Sequence, residues 1–241
     1  MNILITGGNS GLGKATVVSL AKEGHKVYFS YLPIEQCVQE TKEFLATNNE
    51  LTAIPLNFCE KESVDCFCEH IKSLSIDVLV NSAYAGKAQG NHLIKTPVVD
   101  YLTAFQNNVV PTIQITQACL EGMKRRKFGK IVNIITSYVM DTPPTGFSVY
   151  ASTKAYLRQF SKSISKELAR FNITSNCLLP EYMNTNFGKV EDFQLEQMIA
   201  SHPLKQLLRP EEVAQIIVHI VNSSQQLNGV EIPINAAQHI M

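Results

Sequence analysis

The feature that most constrains the fold of this 241-residue chain is an alternation of short apolar runs with longer amphipathic ones. "NILIT" (2–6), "KVYFSY" (26–31), "TAIPLN" (52–57), "DVLVNSA" (77–83), "GKIVNIIT" (129–136), "ITSNCLLP" (173–180) and "NGVEIPIN" (228–235) read as strands. Between them, apolar residues recur at helical spacing over 13–24, 34–48, 61–74, 99–126, 150–172 and 209–222. Gly24 suits the end of the first helix and Pro210 the first turn of the last. Apolar strands alternating with helices predict an α/β fold, a parallel sheet covered on both faces. Right-handed crossovers make that sheet doubly wound. No linker, repeat or low-complexity segment breaks the pattern, so residues 1–241 are expected to form one domain. Such sheets bind ligands beyond the carboxyl ends of their strands, which directs attention to the residues just after each strand.

Composition removes several function classes. Lys plus Arg and Asp plus Glu number 21 each, which points to neither nucleic acid nor an anionic membrane as a partner. The one dense basic run, residues 124–127, falls at a helix end, where cations are favoured anyway. "MNILITGG" has no basic segment followed by a cleavage site, and no apolar stretch approaches 18 residues. A soluble, cytoplasmic protein is expected. The six cysteines form no C-x-x-C pair; Cys66, Cys68 and His70 in "CFCEH" lack a second ligand pair, so no metal site is expected.

The first strand ends in "TGGNSGLG" (6–13). Glycines there let a backbone approach a pyrophosphate closely, and the following helix N-terminus supplies free N–H groups and a favourable dipole. A tight strand–helix turn would use the same residues. Farther along, "YASTK" places Tyr150 and Lys154 four apart, on one helical face. Ser137, at the end of strand five, lies 13 residues before Tyr150.

These elements together resemble the short-chain dehydrogenase/reductase family. Thr6, Gly7, Gly11 and Gly13 match its T-G-x-x-x-G-x-G loop, and Tyr150 and Lys154 its Y-x-x-x-K signature. Asn81 and Ala83 of "NSAY" match its N-N-A-G, whereas Ser82 and Tyr84 do not. Asn108 stands at the position of its active-site asparagine, and "NCLLPEYMNT" resembles its N-x-x-x-P-G-x-x-x-T. The resemblance spans essentially the whole chain and is nearest to 3-oxoacyl acyl-carrier-protein reductases and similar carbonyl reductases. It implies a Rossmann-like domain with a seven-stranded, mostly parallel sheet in the order 3-2-1-4-5-6-7.

It also implies a site. Hydride exchange between a nicotinamide and a carbonyl needs a proton donor at the oxygen, and a free phenol, with a pKa of about 10, is poor at this near neutrality. A lysine ammonium one turn away is expected to lower that pKa. Tyr150 is then the general acid or base, with Lys154 tuning it and holding the nicotinamide ribose. Ser137 stabilises the substrate oxygen, and Asn108 holds a water that relays protons to Lys154. Tyr156, six residues on, faces the other side and packs. The implied cofactor contacts are Gly7, Asn9, Ser10, Gly11, Leu12, Gly13, Ser30, Tyr31, Asn57, Phe58, Asn81, Ala83, Tyr150, Lys154, Pro180, Glu181, Met183 and Thr185.

The chain also departs from the family. Strand two ends in "FSYLP", with neither the acid that anchors NAD nor the arginine that anchors NADP. Ser30 and nearby Lys14 tilt the reading to NADP(H) over NAD(H). Asn57 replaces an aspartate near the adenine. Glu181 replaces the glycine beside the nicotinamide; it is either an outward loop residue or a group that selects a polar or cationic substrate. The ending "NAAQHIM" (235–241) differs from the family's usual D-G-G, yet a homodimer or homotetramer is expected. Segment 182–208 reads as a substrate loop, in which Phe187, Phe193, Leu195 and Met198 either line a pocket or pack the segment down. Three functions stay open: reduction of a 3-oxoacyl thioester or related ketone, small-molecule or carrier-bound; oxidation of an alcohol, sugar or polyol; or a non-catalytic nucleotide sensor or scaffold.

Overall fold

The computed structural model describes every residue except 47–49, 89, 189 and 239–241, so the ends of the helix expected over 34–48 and of the tail 235–241 lie outside the described residues. Seven strands, β1 (Asn2–Ile5), β2 (Lys26–Tyr31), β3 (Leu51–Pro55), β4 (Val78–Asn81), β5 (Gly129–Ile134), β6 (Ile173–Pro180) and β7 (Glu231–Ile234), form one sheet in the order 3-2-1-4-5-6-7. Every pairing is parallel.

Among the described residues eight α-helices cross between or follow them: α1 (Gly11–Lys22), α2 (Glu35–Ala46), α3 (Lys61–Lys72), α4 (Val98–Ala104), α5 (Val110–Arg126), α6 (Ser148–Leu168), α7 (Asp192–Ser201) and α8 (Pro210–Asn222). The alternation of side chains along each strand splits the core in two. Ile3, Ile5, Val78, Val80 and Val132 point to the face covered by α1 and α8. Leu4, Leu79 and Ile131 point to the opposite face, against α3, α5 and α6. Burial on both faces is why these strands read as continuous apolar runs.

One expected element is broken. The region 99–126 is not one helix: a π-helical turn at Phe105–Val109 separates α4 from α5. Pro111, in the first turn of α5, has no N–H to give to the carbonyl four residues back, so a continuous α-helix could not run through this point unbroken. Asn108 sits in that turn, buried. Among the described residues no helix is long and apolar enough to cross a membrane, and no three His, Cys, Asp or Glu side chains converge as a metal site would require.

Candidate active site

The loop between β1 and α1 is held open by small residues. Gly7 and Gly11 have φ of +70° and +49°, a region that side chains disfavour. A Cβ on Gly13 would fall 1.9 Å from the Gly7 carbonyl oxygen, and one on Gly8 would fall 2.4 Å from Phe29 Cβ. The Gly7 N–H donates to Ser30 Oγ (2.9 Å), and Thr6 Oγ1 accepts from the N–H groups of Ser82 and Ala83 (3.0 and 3.1 Å), tying the loop to β2 and to the end of β4. Ser10 caps α1 without a side-chain hydrogen bond, and the first turn contains no acid. An uncapped helix N-terminus beneath a glycine cradle fits the pyrophosphate of a dinucleotide. Thr185 closes the far side, its Cβ 3.4 Å from where a Gly11 Cβ would be.

The residues that end β5 organise the other side. Ile134, the last residue of β5, accepts a hydrogen bond from Lys154 Nζ at 2.7 Å. Thr136 hydrogen-bonds Tyr150. Ser137 donates to Glu181 Oε2 at 2.6 Å. Tyr150, Lys154, Ser137 and Glu181 are all buried. The helical spacing of Tyr150 and Lys154 thus becomes a real convergence: Lys154 Nζ lies 5.8 Å from the centre of the Tyr150 ring.

The electrostatics correct the expectation of a lowered phenol. Burial dominates both groups. It pushes Tyr150 well above the usual tyrosine range, with Tyr84 adding to the rise and the Thr136 hydrogen bond opposing it. Burial likewise brings Lys154 down to about 8. Desolvation disfavours each charged form, so the pair rests close to a neutral phenol and an amine poised near neutrality. A phenol held protonated is a proton donor, which suits delivery to a carbonyl oxygen.

Tyr84, noted in the sequence only as a mismatch, is part of this site. It sits where the family pattern has glycine, in the loop after β4. Its ring meets Tyr150 edge-on with centroids 5.0 Å apart, and Lys154 Nζ lies 5.4 Å from its centre. Phe187, from the segment after β6, packs on Tyr84 (5.5 Å) and Tyr150 (6.0 Å). Of the four apolar residues expected either to line a pocket or to pack the segment down, Phe187 therefore reaches Tyr150, while Phe193 is 67% exposed on α7. Tyr156 is half-exposed and packs on Phe105, away from Tyr150. Thr136 was missed because hydroxyls at strand ends are common; nothing in its spacing singles it out.

Several expected contacts are placed differently. Ser30 lies buried beneath the loop with its hydroxyl engaged by Gly7, so it buttresses the cradle rather than facing a 2′-phosphate. Lys14 Nζ packs over the Phe44 ring at 4.8 Å. Leu12 and Phe58 belong to the two cores, which leaves only their backbone to meet a ligand. Asn81 is buried between strands, donating to Asn133 Oδ1 (2.9 Å) and Thr116 Oγ1 (3.3 Å). Asn57 Oδ1 accepts from Cys59 N–H in a local turn. The Asn108 amide bonds both backbone groups of Ala85 (2.7 and 3.1 Å) and the Ala104 carbonyl, and so holds the loop after β4. Glu181 points inward to Ser137, not outward, and its N–H is fixed by the Ile234 carbonyl. Gly7, Asn9, Gly11, Tyr31, Ala83, Met183 and Thr185 are half-buried and Ser10 exposed around the cleft, with Pro180 buried at the end of β6.

Comparison with known proteins bears on this arrangement. The family model for short chain dehydrogenase matches residues 1–194. The chain is 32% identical over 222 residues to carbonyl reductase family member 4 of Xenopus laevis, covering 91% of this chain and 90% of that one. It is 30% identical over 238 residues to the 3-oxoacyl-[acyl-carrier-protein] reductase FabG of Aquifex aeolicus, covering 96% and 94%. Among solved structures, an NADP active-site complex of Pseudomonas aeruginosa RhlG superposes with a TM-score of 0.88 at 25% identity, covering 99% and 96%.

Proposed function

The chain belongs to the short-chain dehydrogenase/reductase family, as an NAD(P)-dependent oxidoreductase acting on carbonyls and alcohols, and from that premise we propose that it reduces a ketone with NADP(H). The observation that carries this reading is the convergence of Tyr150, Lys154 and Ser137 around the end of β5, beside the glycine cradle.

A bound nicotinamide dinucleotide supplies the hydride. The chain's own residues do the rest. The glycine turn and the α1 N-terminus hold the pyrophosphate. Tyr150, kept protonated by burial, gives its proton to the substrate oxygen as charge develops there. Lys154, poised near 8, sits beside the phenol to favour its anionic form once the proton has left. Ser137 hydrogen-bonds the same oxygen, and Asn108 holds the loop carrying Tyr84 in place. Phe187 packs on Tyr84 and Tyr150 and shields one side of the phenol from water.

The lean toward NADP(H) rests on the end of β2, where Ser30, Tyr31 and Leu32 put no carboxylate near a 2′-phosphate. The substrate class to test first is a 3-oxoacyl thioester, which FabG-type relatives are named for. Leu93, Ile94, Val98, Val99 and Leu102 are 59–93% exposed around α4, an apolar surface that supports self-association into a homodimer or homotetramer.

Initial rates with NADPH and NADH against acetoacetyl-N-acetylcysteamine and simple cyclic ketones, and with NADP+ and NAD+ against a polyol panel, test the reading. NADPH-dependent reduction of the thioester is expected. Turnover only in the oxidative direction on polyols, or a strong preference for NADH, would replace it.

A further inference from the structure

Glu181 occupies a position where the family pattern has glycine, and its carboxylate accepts a hydrogen bond from the Ser137 hydroxyl at 2.6 Å. A serine hydroxyl has one proton and two lone pairs, and an ionised carboxylate only accepts. With that proton directed at Glu181, Ser137 offers its lone pairs to a ligand. Tyr150, a protonated phenol, offers a donor. An oxygen lodged against the two therefore meets one donor and one acceptor. A hydroxyl complements both, accepting from Tyr150 and donating to Ser137. A carbonyl oxygen only accepts, so it can use Ser137 only if that hydroxyl gives up its charge-assisted bond to the carboxylate.

We propose that Glu181 is a positioning residue that orients Ser137 as a hydrogen-bond acceptor, so that the site holds the alcohol form of its substrate more tightly than the carbonyl form. The inference rests on the proposed placement of the substrate oxygen between Tyr150 and Ser137. The solution equilibrium between ketone and alcohol is unaffected, because it belongs to the free species. What shifts is the balance between the bound forms, and with it the ease of releasing the alcohol.

Dead-end complexes read this balance without turnover. The probes are ethyl 3-hydroxybutanoate with NADPH and ethyl 3-oxobutanoate with NADP+, in wild type, Glu181→Gln and Glu181→Gly. The ratio of the oxo-ester to the hydroxy-ester dissociation constant is expected to fall by about tenfold in Glu181→Gly, the worth of one hydrogen bond to a charged group. In Glu181→Gln, whose neutral amide still accepts but more weakly, it falls part of the way. NADPH affinity near the wild-type value shows that each variant is folded, and the near-isosteric Gln variant carries the test if the Gly variant does not fold. Equal ratios in all three proteins overturn the proposal. That failure is distinct from failure of the catalytic reading, which would appear as undiminished turnover in Tyr150→Phe.

Discussion

The two walls of the cleft differ in what occupies positions where the family pattern calls for glycine. On the β1–α1 wall Gly7, Gly11 and Gly13 are retained, and a Cβ on Gly13 would collide with the Gly7 carbonyl. On the opposite wall Tyr84 follows β4 and Glu181 follows β6, and each contacts a member of the proposed catalytic group: Tyr84 meets Tyr150, Glu181 meets Ser137. The first wall meets a ligand with backbone, so its residues tolerate little change. The second meets it with side chains, which can be exchanged while Tyr150 and Lys154, the proposed catalytic pair, stay in place. We propose on this difference that one wall holds the cofactor and the other selects the substrate.

Changes that remove the shared chemistry should have the largest effect. Tyr150→Phe is expected to lower kcat by about 10²- to 10⁴-fold, the range for loss of a general acid, with NADPH affinity nearly unchanged. Stopped-flow or steady-state rates beside a fluorescence titration check this. If NADPH affinity fell along with the rate, Tyr150 would be serving the cofactor wall instead.

Lys154 makes a stability prediction with a definite sign. Its folded value of about 8 lies below the usual 10.5, so the fold pays for the charged amine below pH 8. Between about pH 8 and the onset of tyrosine ionisation near 10 the unfolded chain binds more protons, and stability should rise with pH. Above that, ionisation of Tyr150, raised in the fold, works in the opposite direction. Lys154→Met should flatten the rise and stabilise the apo fold at neutral pH by up to about 3 kcal/mol, read from thermal unfolding at several pH values. A variant with the same pH dependence would mean the amine is not desolvated.

The cofactor wall is sharpened by Gly13→Ala. Its methyl group would have to displace the Gly7 carbonyl, so about 2 kcal/mol of stability and most NADPH affinity should be lost together. Retained NADPH binding would show the loop to be looser than its geometry. The smallest expected effect is on the other wall: Tyr84→Gly removes an edge-on aromatic pair worth about 1 kcal/mol and opens the pocket. Bulkier ketones should gain activity by a few-fold, with NADPH affinity unaffected.

Much of this was legible in the chain. The strands announced themselves because sheets buried on both faces need continuous apolar runs, and Tyr150 and Lys154 because one helical turn brings residues four apart together. What was not legible depends on partners brought in by the fold. Ser30 lies 23 residues from the Gly7 N–H it accepts, and Ser137 lies 44 from Glu181. Local spacing cannot reveal such pairings, so Ser30 read as a phosphate contact and Glu181 as a loop residue or substrate selector. The effect of burial on Tyr150 was invisible for the same reason: a lysine four residues away is a local fact, and desolvation is a tertiary one. The π turn at Asn108 escaped a helical period that runs through it almost unbroken.

The separation of the two walls is tested most directly by restoring both glycines, Tyr84→Gly with Glu181→Gly, and measuring NADPH dissociation together with kcat/KM for ethyl 3-oxobutanoate. The account predicts an NADPH dissociation constant within about threefold of wild type and a kcat/KM altered by about tenfold or more. A double variant whose NADPH affinity shifts by about tenfold, with kcat/KM merely following it, would contradict it.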